Sequence, residues 1–154
     1  MTDLITLQEY KTAEGITQPK EDARLNVLIP SVSQLVKTYC GNSFLDFFST
    51  NKTETFSIEW GTHIVQLTES PVNTIVSVQE AQTYGGTLTT LTVGAQEYAL
   101  NLATDCIYRT TAGGYKNWPT GINSVQITYT AGYVSTPADL KLAVADLVTH
   151  YLKG

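Results

Sequence analysis

The stretch Val125-Gln126-Ile127-Thr128-Tyr129-Thr130-Ala131-Gly132-Tyr133-Val134-Ser135-Thr136-Pro137-Ala138-Asp139-Leu140 changes its period part-way along. Up to Ala131, the apolar residues Val125, Ile127, Tyr129 and Ala131 alternate with Gln126, Thr128 and Thr130, the pattern of a strand with one packed and one polar face. After Gly132-Tyr133 the signals are those of a helix start. Thr136 is placed to cap, Pro137 to occupy the first helical position, and Asp139 to sit near the positive helix end. Leu140, Val144, Leu147, Val148 and Tyr151 then recur at helical spacing and predict one buried stripe.

Upstream of this switch, alternation dominates. Phe56, Ile58 and Trp60 fall on one face of a strand, with Thr55, Ser57 and Glu59 on the other. Further strands are predicted at 63–68, 74–80, 88–93, 98–102 and 106–110, with Gly85-Gly86 and Gly113-Gly114 as turns. The N-terminal fifty or so residues instead carry a helical period. Thr6-Leu7-Gln8-Glu9 has the form of a capping box, and Gly15 supplies a left-handed stop. From about Lys20 to Cys40, Leu25, Leu28, Ile29, Val32, Leu35, Val36 and Tyr39 predict a second helix with one continuous buried stripe, stopped at Gly41. Pro30 lies inside it, so a kink or a junction of two helices is expected there.

The order helix, helix, strands, helix predicts an α+β fold. Terminal helices, 1–50 with 134–154, pack as a small helical bundle, and 51–133 forms an inserted antiparallel β-rich subdomain. A chain of 154 residues is about one domain's worth, so a single core is expected and a two-domain enzyme is not.

Charge narrows the function classes. Only 15% of residues are charged, against roughly 25% in an average soluble domain. Uncharged polar residues, threonine above all, take their place and leave little charge to keep a large free surface soluble, which points to an assembled state. Fourteen acids against nine bases give a net charge of −5, the wrong sign for gripping a phosphate backbone. The N-terminus lacks the basic and apolar regions of a secretory signal, and no apolar run is long enough to span a bilayer, so a soluble protein made in the cytosol is expected, with no membrane partner. The two cysteines, Cys40 and Cys106, read as buried free thiols.

Motifs for catalysis are missing. None of the eleven glycines builds a phosphate loop or dinucleotide fingerprint, and there is neither a nucleophile elbow nor a His-Glu-x-x-His zinc pattern. Neither a catalytic residue, a cofactor-binding residue nor a metal ligand is assigned. His63 and His150, the only histidines, read as surface or capping residues. Glu54 and Glu59 are an odd number of positions apart on a strand, so they point to opposite faces and make a poor acid/base pair. Asn51-Lys52-Thr53 matches a glycosylation sequon, discounted in a chain without a secretory signal. Tyr108, Tyr115 and Trp118 gather around a glycine-rich loop. Such aromatics fill a sheet core or a subunit interface, or alternatively form a patch that stacks on a sugar or an unpaired base, as in a carbohydrate- or ligand-binding β module.

Several segments in order resemble the head-tail connector (adaptor) proteins of tailed bacteriophages. They are Leu7-Gln8-Glu9-Tyr10, the helix end Val36-Lys37-Thr38-Tyr39-Cys40-Gly41 with Phe44, the step Glu69-Ser70-Pro71-Val72, and Ile127 to Tyr133 leading to Pro137-Ala138-Asp139-Leu140-Lys141. The chain is similar to the branch with a strand-rich insertion. The resemblance implies a non-enzymatic virion protein, assembled in the host cytoplasm, that forms a ring, usually dodecameric, beneath the portal. Its expected partners are the portal protein, neighbouring copies of itself and a further neck or tail protein. DNA would pass through the channel without specific binding. It also implies a C-terminal portal-docking segment, which here falls on the helix end at Leu147, Tyr151, Leu152 and Lys153. Twelve copies at −5 each would carry about −60 in all, and a negative channel wall repels DNA.

Overall fold

The computed structural model describes residues 2–154, and among these there are three helices and eight strands. The fold is α+β, with every strand pairing antiparallel. Contacts divide the chain into two compact units: residues up to Asp46 together with Tyr133–Gly154, and Phe47–Gly132.

The first unit holds α1 (Leu7–Glu14), α2 (Asp22–Cys40) and α3 (Ala138–Lys153). At the start of α1 the capping box is complete. The Thr6 hydroxyl accepts from the Glu9 amide at 3.1 Å, and the Glu9 carboxylate accepts from the Thr6 amide at 3.0 Å. Gly15 and Gly41 end their helices with φ of 69° and 65°, a backbone that side chains with a Cβ rarely adopt. Leu25, Ile29, Val32 and Val36 of α2 pack with Val144, Ala145 and Val148 of α3, and Leu4, Ile5 and Tyr10 complete the core. The Tyr10 hydroxyl also shares a 2.6 Å hydrogen bond with the Thr149 hydroxyl.

Three features differ from the sequence reading. Helix α2 runs unbroken through Pro30, so there is no junction of two helices. Proline cannot supply the amide that the Asn26 carbonyl would normally accept, while the Ser31 hydroxyl donates to the next carbonyl, Val27, at 2.9 Å. The α2 stripe is also narrower than predicted: Leu35 and Tyr39 are exposed, while Ser33 and Lys37 are buried by partners far away in sequence. The Ser33 hydroxyl accepts from the Leu4 amide at 2.9 Å. The Lys37 ammonium donates to both Asp46 carboxylate oxygens at 3.0 Å and to the Thr2 carbonyl. Finally, Pro137 rather than Thr136 is the N-cap of α3; Thr136 is buried, and its side chain makes no cap bond.

The second unit is a pair of sheets. One has the order β1 (Lys52–Ile58), β8 (Gly121–Ala131), β3 (Val72–Ala81), β4 (Leu88–Thr90). The other has the order β2 (Ile64–Gln66), β6 (Cys106–Thr111), β5 (Tyr98–Asn101), with β7 (Gly114–Tyr115) pairing to β6. Val78, Val125, Ile127 and Tyr129 from the first sheet share one core with Val65 and Ile107 from the second, the two-layer solution to burying one face of each sheet. In β8 the expected alternation holds: Val125, Ile127, Tyr129 and Ala131 are buried, and Gln126, Thr128 and Thr130 only partly so. Trp60 departs from the predicted β1 face. The strand ends at Ile58, and Trp60 lies beyond it, 88% exposed.

Two polar clusters lie inside this unit. Arg109 on β6 reaches Glu80 on β3 with two parallel bonds, Nε to Oε2 at 2.9 Å and Nη2 to Oε1 at 2.7 Å, and both residues are buried. Its remaining nitrogen donates to the Glu97 and Thr110 carbonyls at 2.7 and 2.8 Å, so the charge is bonded all round. The Tyr129 hydroxyl donates to Glu54 and accepts from the Glu69 amide at 3.1 Å. Burial first, and the Glu54 carboxylate next, push this phenol above the ordinary tyrosine range.

Candidate functional site

Of the functional residues expected from sequence, Tyr115, Tyr151 and Lys153 are exposed and Tyr108 is partly so, whereas Trp118, Leu147 and Leu152 pack inward. Among the described residues, no group of three or more His, Cys, Asp or Glu side chains is arranged to hold a metal ion. No helix among the described residues is long and apolar enough to cross a membrane. Glu54 is held by the Thr68 amide at 3.2 Å and the Thr68 hydroxyl at 2.8 Å as well as by Tyr129, which fixes it as a brace between loop and strand. Glu59 is exposed beyond the end of β1.

The C-terminal segment of α3 divides by depth. Leu147 and Leu152 pack against the helical core, whereas Tyr151 and Lys153 are exposed. The Tyr151 carbonyl accepts from Arg24 of α2 at 3.3 Å, and the His150 and Tyr151 rings meet edge-on at 5.3 Å. The start of α2 and the end of α3 therefore lie together.

The aromatic trio is split by the fold. Tyr108 and Tyr115 face each other across the β6–β7 pairing with ring centroids 5.7 Å apart, and His63 joins them at 6.1 and 5.0 Å. Trp118 is 1% exposed and belongs to the core between the sheets, so it is not part of that surface. Its indole nitrogen has no hydrogen-bond partner among the described residues, while its backbone amide donates to the Thr62 carbonyl at 2.8 Å. Cys106 is buried as expected, but Cys40 is exposed, because it ends α2 next to the Gly41 stop.

Two surfaces were not singled out from sequence. One end of the first sheet shows Trp60, Tyr84 and Ile122, all more than two-thirds exposed. The Tyr84 ring lies so close to Gly121 that a Cβ there would stand 3.1 Å from it. The other is a groove of about 460 Å³ between α1 and α3, floored by Ile5, Ala13, Leu142 and Ala145 and edged by Glu9, Glu14, Lys141 and Asp146. Glu9 and Lys141 form an ion pair across it. That bond with Lys141, helped by the Thr6 amide, holds the Glu9 carboxyl below its usual range. The groove residues come from helices more than a hundred positions apart; the packing of the terminal helices was expected from the sequence, but the groove between them was not.

Comparison with known proteins places this architecture. No curated protein matches the chain. Among solved structures, a chain in the neck of an empty GTA particle determined with C6 symmetry is similar at 19% identity and a TM-score of 0.69, over 98% of this chain and 79% of that one. A chain in the neck of a native GTA particle with C12 symmetry is similar at 18% identity and a TM-score of 0.62, covering 99% and 82%. A chain in the virion of a native gene transfer agent particle gives 18% identity and a TM-score of 0.68, covering 98% and 79%. At such identities these likenesses establish a shared fold. The profile of the head completion protein family matches residues 3–154, and the chain belongs to that family.

Proposed function

We propose that this chain is a structural adaptor of a tailed-phage or phage-like virion. It assembles as a ring of about twelve copies beneath the portal, continues the DNA channel and seats the next neck or tail component. The observation that carries this reading is the family match over nearly the whole chain, residues 3–154. The similar folds in neck particles of six-fold and twelve-fold symmetry support it. So does the surface: large apolar side chains stand exposed on both units, as on a subunit whose interfaces are unfilled. The role needs no catalysis, and DNA passes a wall of net negative charge without being gripped.

Within this reading, the end of α3 is the portal-docking segment. Tyr151 and Lys153 make the contact, and Leu147 and Leu152 hold the helix end rigid from beneath. Negative-stain imaging of the purified chain mixed with its portal tests the proposal. Rings seated on the portal are expected. Absence of both rings and portal binding overturns the proposal.

A further inference from the structure

The helical unit carries two unlike surfaces on opposite flanks of α2. With about 100° between successive residues, Asp22, Ser33 and Lys37 fall on one flank. There they bond to Lys11, the Leu4 amide, and Asp46 with the Thr2 carbonyl, so the N-terminal segment and α1 run along that side. The opposite flank presents Arg24, Val27, Ser31, Leu35 and Tyr39 at three- and four-residue spacing, all exposed. Val27 is 67% exposed, Leu35 45% and Tyr39 90%, an apolar stripe turned to solvent with a cation at its N-terminal end. Lys20, just before the helix, adds a second exposed cation. Neither it nor Arg24 is in an ion pair among the described residues.

The α1–α3 groove supplies what this stripe lacks. Its floor is apolar, and Glu14 and Asp146 on its rim are exposed and outside any ion pair among the described residues. We propose that the Val27–Leu35 stripe of one copy seats in the α1–α3 groove of the next, with Arg24 and Lys20 against Glu14 and Asp146. This rests on the ring reading above. A ring closes through a head-to-tail contact, which needs two different, mutually complementary patches on each copy, whereas a two-fold dimer needs one self-complementary patch. Apolar stripe to apolar floor and cation to acidic rim meet that requirement, and the charges fix the register of the contact.

The test is cross-linking within rings assembled on the portal, with Cys40→Ser as the background. Val27→Cys combined with Leu142→Cys should give a ladder of covalent multimers on mild oxidation. Rings in negative stain without a ladder overturn the proposed interface and leave the adaptor reading standing; no rings at all overturn both. As a second arm, Arg24→Glu should lower ring yield by about tenfold or more, and Glu14→Lys with Asp146→Lys should restore it in the same chain. Arg24→Gln, which keeps most of the bulk without the charge, guards against a folding defect, with circular dichroism confirming the fold of each variant. Wild-type assembly by both Arg24 variants overturns the proposal.

Discussion

Glu80 and Arg109 join the two sheets at the residue scale by a pair of charges taken out of water. Such a pair adds little net stability over a well-packed apolar pair, because desolvation cancels much of the attraction. Breaking it is another matter, since the remaining charge is left buried without its partner. Arg109→Met alone is therefore expected to destabilise the chain by about 3–5 kcal/mol, and adding Glu80→Met should recover most of that loss. Urea unfolding followed by tryptophan fluorescence measures both variants, and additive losses would show that the two side chains act independently. Part of this pair was legible in the sequence. Extending the period-two alternation from Val78 to Glu80 and from Ile107 to Arg109 puts both side chains on the inner faces. Their meeting was not legible, because the two residues are 29 positions apart and come together only through the stacking of two sheets. The same holds for Trp118: the sequence left it between a sheet core or subunit interface and a surface patch, and its burial follows from a sheet packing that no local signal encodes.

Elements in the helical unit are tied by two carboxylates whose titration has a definite sign. Glu9 lies below its ordinary value of 4.5 because of Lys141 and the Thr6 amide. Asp46 is pushed up by burial from its ordinary 3.8, but the Thr2 amide and Lys37 outweigh that and leave it lowered. A lowered folded-state pKa means that the unfolded chain binds the proton more readily. The stabilisation is thus fully present above the unfolded values and is lost as pH falls through them toward the folded ones. The helical unit should lose thermal stability as pH drops below about 4.5, and Lys37→Met should flatten the part of that loss due to Asp46. Melting curves at 222 nm across pH 2 to 6 check this, and an unchanged acid limb in the variant would remove Asp46 from the account. Helix α2 offers a second prediction at this scale. Pro30 is exposed in the helix interior and leaves the Asn26 carbonyl without its usual donor. Pro30→Ala should raise stability by about 1–3 kcal/mol in the same melting experiment. The features legible in the sequence were local ones: the Thr6–Glu9 box, the Gly15 and Gly41 stops and the β8 alternation. What the periods overstated was burial. Leu35 and Tyr39 share the spacing of core residues but stand on the flank that the single chain leaves open.

For the whole molecule, the shortage of charge is sharper than the composition suggested. Five of the nine bases, Lys11, Lys37, Lys52, Arg109 and Lys141, are engaged in internal ion pairs. Lys20, Arg24, Lys116 and Lys153 are outside them among the described residues, and all four are exposed. Non-specific DNA binding comes from cations that neutralise phosphates and release counterions, so its strength and salt dependence scale with the number of such contacts. Four such cations on a chain of net charge −5 are few for that interface. If Arg24 and Lys20 are further occupied at the contact between copies, the assembled ring has fewer still. The purified chain, free or assembled on its portal, is therefore expected to leave the fluorescence anisotropy of a labelled duplex unchanged from low salt to physiological salt. Binding that weakens steeply as salt rises would reveal a phosphate-contacting surface and overturn the picture of a channel past which DNA slides. No change at any ionic strength would agree with a protein whose uncharged and apolar surfaces serve contacts between proteins.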